Sequence, residues 1–249
     1  MRIDGRQNHQ LRPVEISLNV QRYPEGSLLF RAGGTQILIA VSVEDGVRDF
    51  LRGSGLGWVT AEYAMHPRAN KERQARDSRR GKIDGRVQEI QRLIGRALRA
   101  AVVPKQLGER TIVVDCDVLD ADGGTRTACV TGGFIAMALA LDPLCKDGTV
   151  GTGVLREAIA AISVGLVNDE VLLDLCYRED SSAEVDLNVV GTCTQGIVEV
   201  QGTSEDAPIP RAQFNALLDV ALLGIPQLID VQMATLKDAN VNLTRLLAS

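Results

Sequence analysis

The sequence is poor in the residues from which many metal and disulfide sites are built. It contains only two histidines, His9 and His66, and its cysteines form no C-x-x-C pair. Both observations disfavour a histidine-based metal site and a zinc site. The odd number of cysteines argues against a disulfide framework, and we expect all five thiols to be buried: Cys116, Cys129, Cys145, Cys176 and Cys193.

Long apolar runs and familiar nucleotide-binding loops are also missing. No apolar run approaches the roughly 20 residues of a membrane span, and the start, MRIDGRQNHQLRP, lacks the apolar stretch of a secretory signal. We therefore expect a cytoplasmic protein without a membrane partner. No G-x-x-x-x-G-K-[ST] sequence occurs, and GSGLGW (53–58) has the wrong spacing for a dinucleotide turn, which disfavours P-loop and Rossmann folds.

The hydrophobic patterns predict strands followed by a helix, twice along the chain. We expect strands within 13–21, 27–44, 57–65, 111–119, 158–180 and 184–203, and helices over 87–103, 127–141 and 210–247. We expect the last helix to break near Gly224 and Pro226 and then to resume. This order predicts an α+β fold, a single domain (1–249) of mixed or antiparallel sheets with packed helices, an internal pseudo-duplication, and a C-terminal helical segment at about 210–247.

Positive charge is concentrated in one block of an otherwise acidic chain. Residues 66–99 contain eleven Lys and Arg against four Asp and Glu, a local charge of +7, whereas the whole chain carries −5. The segment PRANKERQARDSRRGK (67–82) shows no apolar period, which indicates an exposed loop. We interpret this loop as a contact for a polyanion, the alternative being a solvated helix face.

Two predicted helices begin with a glycine and an arginine. The sequence DADGGTRTACVTGG places Gly124, Thr125 and Arg126 at the entrance of an apolar helix, and DGRVQEIQR places Arg86 at the entrance of another. Unpaired N–H groups and the positive end of the dipole at a helix start bind anions such as phosphate, and an arginine can add a bidentate contact. The alternatives are a plain helix cap and two solvated surface arginines.

Two aspartates indicate a cation site. Asp186 points to the polar side of a predicted strand, and Asp180 lies six residues earlier. The polar run 181–184 suggests a chain reversal, which would bring the two carboxylates side by side. Adjacent carboxylates repel unless a cation joins them, and Mg²⁺ with one or two carboxylates and water molecules fits this pair. The alternative is a polar hairpin tip.

Four long motifs resemble one known family. GWVTAEYAMHPRA, GRVQEIQRLIGRALRAAV, CDVLDADGGTRTA and EDSSAEVDLNVV closely resemble the bacterial ribonuclease PH family, phosphate-dependent exoribonucleases that trim the 3′ ends of tRNA. The similarity runs from about Arg6 to Gly202. One departure is Asp120, which stands where the family pattern leads us to expect glutamine.

The resemblance implies a phosphorolytic nucleotidyltransferase. Inorganic phosphate is the co-substrate, Mg²⁺ is the cofactor, and nucleoside 5′-diphosphates are released from tRNA precursors and other RNA 3′ ends. It further implies a hexameric ring, a trimer of dimers. The implied roles are phosphate binding by Arg86, Gly124, Thr125 and Arg126, catalysis and metal binding by Asp180 and Asp186, and RNA binding by Arg68, Arg73 and Arg76.

Two other functions remain to be weighed against this one. A non-catalytic ring subunit that only binds RNA would be expected to lack the arginine pair or the aspartate pair, and all four residues are present. Plain hydrolysis would need a base or a second metal site to activate water, and the sequence offers no convincing set of residues for it.

Overall fold

The first half of the chain builds a five-stranded mixed sheet. In the computed structural model, which describes residues 2–76, 81, 84–204 and 207–248, the strand order is β1-β2-β3-β5-β4. β4 pairs in parallel with β5, and the other neighbours are antiparallel. Apolar and polar residues alternate along these strands, as expected when one face of each strand packs into the core. The strands are β1 (Val14–Leu18), β2 (Gly26–Ala32), β3 (Thr35–Asp45), β4 (Trp58–Met65) and β5 (Arg110–Asp120).

The second half builds a four-stranded antiparallel sheet in the order β7-β6-β8-β9. Asn168 and Asp169 connect β6 to β7 with φ values of 51° and 61°, as a two-residue hairpin turn requires. This confirms the hairpin predicted at that position. The strands are β6 (Ile159–Val167), β7 (Glu170–Leu173), β8 (Val185–Thr192) and β9 (Ile197–Ser204).

Six α-helices occur among the described residues, and the third is central. Its glycine at position 132 lets the Ile39 side chain approach to 2.5 Å from where a Cβ would lie, and Thr131 exchanges hydrogen bonds with the backbone of Ala161 in β6. The helix therefore contacts both sheets. The helices are α1 (Gly85–Ala100), α2 (Pro104–Leu107), α3 (Thr125–Lys146), α4 (Tyr177–Asp180), α5 (Arg211–Asp238) and α6 (Leu243–Leu246).

The predicted α+β class with mixed and antiparallel sheets is confirmed. That residues 1–249 form one domain, with a helical segment at about 210–247, stays a prediction. The internal duplication also stays a prediction. The parallel β4–β5 pair of the first sheet has no counterpart among the described strands of the second.

Several predicted boundaries were wrong. α3 continues through Pro143, and α5 continues without a break through Gly224 and Pro226. A helix-interior proline costs about 3 kcal/mol, but Ile225 and Ile229 beside Pro226 are buried in the core, and this packing holds the helix together. The strand predicted to reach residue 180 ends at Leu173, and the chain then forms α4.

Of two expectations drawn from scarcity, the absence of a membrane span stays a prediction, whereas the burial of all five thiols was wrong. By length and composition, α3 and α5 are both apolar enough to cross a membrane, although 78% of the most apolar window of α3 is buried inside the protein. The apolar character of α3 is therefore explained by its place between the two sheets. All five cysteines are free thiols, but only four are buried, because Cys193 is exposed.

Candidate active site

The turn before α3 is built from glycines for two physical reasons. Gly123 and Gly124 have φ values of 76° and 63°, in the left-handed region that other residues rarely adopt. A Cβ on Gly123 would also lie 2.6 Å from the carbonyl oxygen of Leu175 and 2.9 Å from the backbone nitrogen of Tyr177. The turn is thus pressed against the segment that begins α4.

The entrance of α3 offers backbone donors without a side-chain cap. Gly124 is the N-cap residue, and no side chain of the described residues caps this helix. The first N–H groups of a helix have no partner within the helix and carry the positive end of its dipole. Next to them, the Thr125 hydroxyl lies 3.0 Å from the hydroxyl of Tyr63 in β4. Burial raises the pKa of Tyr63 to about 12, so this hydroxyl keeps its proton at neutral pH.

Arg126 is held in place by two other elements. Its Nη1 donates to Oε1 of Gln201 in β9 at 3.1 Å and lies 3.9 Å from Oε1 of Glu89 in α1. Gln201 also donates to Glu89, and the Arg126 side chain is only 18% exposed. The guanidinium is therefore ordered at the helix entrance and does not extend freely into solvent.

Arg86 reaches the same region from the start of α1. Its backbone N–H donates to the Asp84 carboxylate at 2.8 Å, so this helix entrance is capped, and the Arg86 side chain is exposed. The positive charges of Arg86 and Arg126 both lower the pKa of Tyr63 and of Asp186. Both guanidinium groups therefore lie near the same two side chains.

The predicted reversal brings the two aspartates together. Asp180 ends α4, and Asp186 lies in β8, where its Oδ2 accepts a hydrogen bond from Nδ2 of Asn188 at 3.3 Å. Burial, and after it the negative charge of Asp180, raises the pKa of Asp186 to about 6. Asp180 therefore lies close enough for its charge to act on Asp186, in agreement with the predicted reversal.

The aspartate pair fits a divalent cation. Oδ1 of Asp186 is buried and has no hydrogen-bond partner among the described residues. A buried carboxylate oxygen without a partner, with a second carboxylate nearby, matches the one or two carboxylates by which Mg²⁺ is commonly held. No group of three or more His, Cys, Asp or Glu side chains in the described part of the chain could hold a metal ion.

Comparison with known protein families matches almost the whole chain. Residues 10–143 match domain 1 of the 3′ exoribonuclease family, RNase_PH, and residues 157–223 match its domain 2. The chain belongs to the ribonuclease PH family. The ribonuclease PH proteins of Bacillus subtilis and Bacillus velezensis are 55% and 53% identical to it, over 96% and 95% of this chain and 98% and 97% of theirs.

Solved structures share the fold at low sequence identity. Rice Rrp46 superposes with a TM-score of 0.76 at 19% identity and covers 94% of this chain and all of that one. The Archaeoglobus fulgidus exosome with RNA bound to its active site gives 0.74 at 23% identity, covering 92% of this chain and 91% of that one. These similarities establish the fold alone.

Membership of the ribonuclease PH family confirms the predicted activity. The enzyme is a phosphorolytic 3′-to-5′ exoribonuclease, a tRNA nucleotidyltransferase, and not a non-catalytic subunit. The assignment of individual residues to this activity stays a prediction, to which the geometry adds support.

The three predicted RNA-binding arginines lie on the segment that follows β4. The segment is anchored at its base because Ala69 is buried and its carbonyl accepts a hydrogen bond from the N–H of Ala121, which directly precedes the Asp122–Gly124 turn. The exposed arginines are Arg68, Arg73 and Arg76. Residues 77–80 and 82 of the predicted basic loop lie outside the described residues.

Sequence reasoning missed four residues of this site in the ribonuclease PH fold. Tyr63 shares the buried face of β4, so its spacing is that of any core residue. Glu89 and Gln201 lie on solvent-facing positions of α1 and β9, and only tertiary structure brings them to Arg126. Arg12, which donates from its buried guanidinium to the carbonyl oxygen of Asp122 in the turn before α3, had no pattern to identify it, although a buried arginine needs a partner.

Proposed function

We propose that phosphorolysis takes place where the entrances of α1 and α3 meet the carboxylates of α4 and β8. The observation that carries this proposal is that Asp180, Arg126 and Arg86 all lie close enough to the buried Asp186 for their charges to shift its pKa. Three of these side chains come from helix ends and one from a strand, in both halves of the chain. Such a cluster of positive and negative side chains can position a phosphate ion and stabilise charge in the transition state of phosphoryl transfer.

The phosphate ion binds at the α3 entrance. The N–H groups of its first turn, with Gly124 leaving room for the ion, bind oxygens of the ion, and the Thr125 hydroxyl and the Arg126 guanidinium add further donors. Arg86 adds a further positive charge from the start of α1. These donors hold inorganic phosphate as the nucleophile.

The reaction exchanges one ester for one anhydride. An oxygen of the bound phosphate attacks the phosphorus of the last phosphodiester, the bond to the 3′ oxygen of the preceding nucleotide breaks, and that oxygen takes up a proton. The products are a nucleoside 5′-diphosphate and an RNA shorter by one nucleotide. Because the bond formed is a phosphoanhydride, the reaction is reversible.

Asp180 and Asp186 would hold Mg²⁺. When bound, the cation stabilises negative charge on the leaving 3′ oxygen. The carboxylates serve this role only when ionised, and the arginines nearby favour ionisation of Asp186.

RNA reaches the site along the basic segment. Arg68, Arg73 and Arg76 are exposed on a stretch anchored beside the Asp122–Gly124 turn, where they contact the RNA backbone. We propose tRNA precursors and other RNA 3′ ends as substrates, a homohexameric ring of three dimers as the assembly, and the cytoplasm as the location. A ring would gather the basic segments of several subunits around one RNA.

The decisive experiment supplies or withholds inorganic phosphate. A tRNA with extra 3′ nucleotides is incubated with the enzyme and Mg²⁺, and the mononucleotide product is identified by mass. We expect nucleoside 5′-diphosphates only when phosphate is present. Release of monophosphates at full rate in phosphate-free buffer would contradict the proposal. The Asp186→Asn variant should be folded and inactive, since it keeps the shape of the side chain and removes its charge.

The basic segment is tested by salt dependence. Changing Arg73 and Arg76 to alanine should weaken tRNA binding and flatten the slope of log affinity against log salt by about one per lost phosphate contact. Arg22→Ala is the matched control, because it removes an exposed arginine between β1 and β2, at the opposite edge of the first sheet. An unchanged slope in the double variant would contradict this role.

A further inference from the structure

A buried arginine near the N-terminus connects the two halves of the site. The Arg12 side chain is 4% exposed, and its Nε and Nη2 donate to the two oxygens of the Asp174 carboxylate at 3.0 and 2.7 Å. The backbone N–H of Arg12 donates to the same carboxylate at 2.7 Å. Burial alone would lower the pKa of Arg12, but Asp174 outweighs it and the pKa is raised, so the ion pair stays charged.

The remaining nitrogen of the guanidinium holds the phosphate-binding turn. Nη1 of Arg12 donates to the carbonyl oxygen of Asp122 at 2.6 Å, and Nη2 lies 2.9 Å from where a Cβ of Gly124 would be. The Thr35 hydroxyl holds the same turn from β3 through the carbonyl oxygen of Gly123 and the N–H of Asp122. Arg12 therefore lies directly beneath the entrance of α3.

Asp174 is itself fixed at the start of the segment that carries Asp180. Its φ of 54° is unusual for a residue with a side chain, and its N–H donates to the carbonyl oxygen of Ser163 in β6 at 2.7 Å. Three residues later, the N–H of Tyr177 donates to Oδ1 of Asp122 at 3.2 Å. The turn and α4 are thus joined twice, by this hydrogen bond and by the Arg12–Asp174 pair.

We propose that Arg12 is a positioning residue, which sets the spacing between the phosphate-binding turn and the helix that ends in Asp180. The proposal rests on the proposed function of both elements. Only a guanidinium can donate from two nitrogens to a carboxylate and from the third to a carbonyl, whereas a lysine ammonium has a single nitrogen. A buried ion pair by itself contributes little net stability. We therefore ascribe the role of this pair to its position, because Arg12 contacts the phosphate-binding turn and Asp174 begins the segment that carries Asp180.

The neighbouring arginine at position 2 provides a matched control. Its guanidinium donates to Glu179 at 2.8 and 2.5 Å and to the carbonyl oxygens of Leu173 and Asp174, all on the α4 side. Among the described residues, Arg2 makes no hydrogen bond to the turn at 122–124. Arg2 and Arg12 are therefore both buried, and both pair with the segment that leads into α4. Of the two, only Arg12 hydrogen-bonds to the Asp122–Gly124 turn.

The test compares Arg12→Lys with Arg2→Lys in steady-state phosphorolysis of a 3′-extended tRNA, with phosphate and RNA varied separately. Both variants should lose thermal stability. In Arg12→Lys we expect kcat/KM for phosphate to fall by roughly 10–100-fold, the cost of a misplacement of about 1 Å, mainly through a higher KM for phosphate and with KM for RNA unchanged. In Arg2→Lys we expect KM for phosphate to equal that of the wild type.

Each outcome decides the matter. A wild-type KM for phosphate in Arg12→Lys would overturn the proposal, and so would an equal rise in both variants, which would show general loosening. If Arg12→Lys does not fold, Asp174→Asn, which removes the charge and keeps the shape, is judged against Arg2→Lys by the same criterion. Failure of the wild type to depend on phosphate would instead overturn the proposed function.

Discussion

The two helix entrances that meet in the site are built in opposite ways. α1 begins with Asp84, whose carboxylate caps the helix, and Arg86 extends from it into solvent. α3 begins with Gly124 without a side-chain cap among the described residues, and Arg126 is held by Gln201 and Glu89. A side chain caps one N–H of the first entrance, whereas the second has no such cap and, in our proposal, its N–H groups donate to phosphate.

This difference implies different roles for Arg126 and Arg86. A helix cap contributes about 1 kcal/mol to stability, and α3 forgoes it because its buried faces supply stability from packing against both sheets. In the sequence the two entrances look alike, because each has a glycine shortly before an arginine. In the structure the Arg126 guanidinium is held by two side chains, whereas the Arg86 side chain is exposed to solvent.

The largest effect is expected from Arg126→Ala. Because its guanidinium is already ordered and mostly shielded, loss of its charged hydrogen bonds should weaken phosphate use by about 1.5–3 kcal/mol, measured as kcat/KM for phosphate. RNA affinity should change much less. Gln201→Leu is a useful companion, since it should reproduce part of the loss by releasing Arg126. A wild-type dependence on phosphate in Arg126→Ala would show that α3 does not bind the ion.

A smaller effect is expected from Arg86→Ala. An exposed arginine loses side-chain freedom when it binds, which offsets part of its attraction, so we expect a loss of about 1 kcal/mol in kcat/KM for phosphate. This loss should shrink as salt is raised, because an exposed charge is screened. The comparison fails if Arg86→Ala costs more than Arg126→Ala at physiological salt.

The sequence predicted the local features of the two helix entrances, but it did not predict the contacts between distant segments of the chain. Alternation and helical spacing located the strands and both helix entrances, and the polar run after Asp180 predicted the reversal toward Asp186. Arg126 is fixed by side chains from 75 and 37 positions away, and such contacts leave no local pattern. Arg12 was missed for the same reason, because its partner Asp174 is 162 residues away in the sequence.

The pKa of Asp186 measures how near each arginine lies. Both arginines lower it, Arg126 more than Arg86, so each alanine variant should raise it above about 6, and Arg126→Ala should raise it further. Asp180→Asn should lower it, because a like charge is removed. Carboxyl NMR titration of the metal-free enzyme tests all three. Equal rises in the two arginine variants would show that both guanidinium groups are equally close.

The same raised pKa gives a pH dependence of stability. The folded protein binds the Asp186 proton more tightly than the unfolded chain, whose ordinary value is 3.8. This group therefore makes the free energy of unfolding fall as pH rises from about 4 to about 6, and adds nothing further above that. Denaturation of metal-free wild type and Asp186→Asn should show the slope in the first and its loss in the second.

The smallest effect is expected at the cap of α1. Asp84→Ala removes the acceptor of the Arg86 N–H and should lower the free energy of unfolding by about 1 kcal/mol, whereas Asp84→Ser keeps an acceptor and should cost less. KM for phosphate should change by about twofold or less in both, since only an exposed charge near Arg86 is lost. If uncapping α1 instead changed phosphate use as strongly as Arg126→Ala, its N–H groups would be part of the phosphate site, and the two entrances would be equivalent after all.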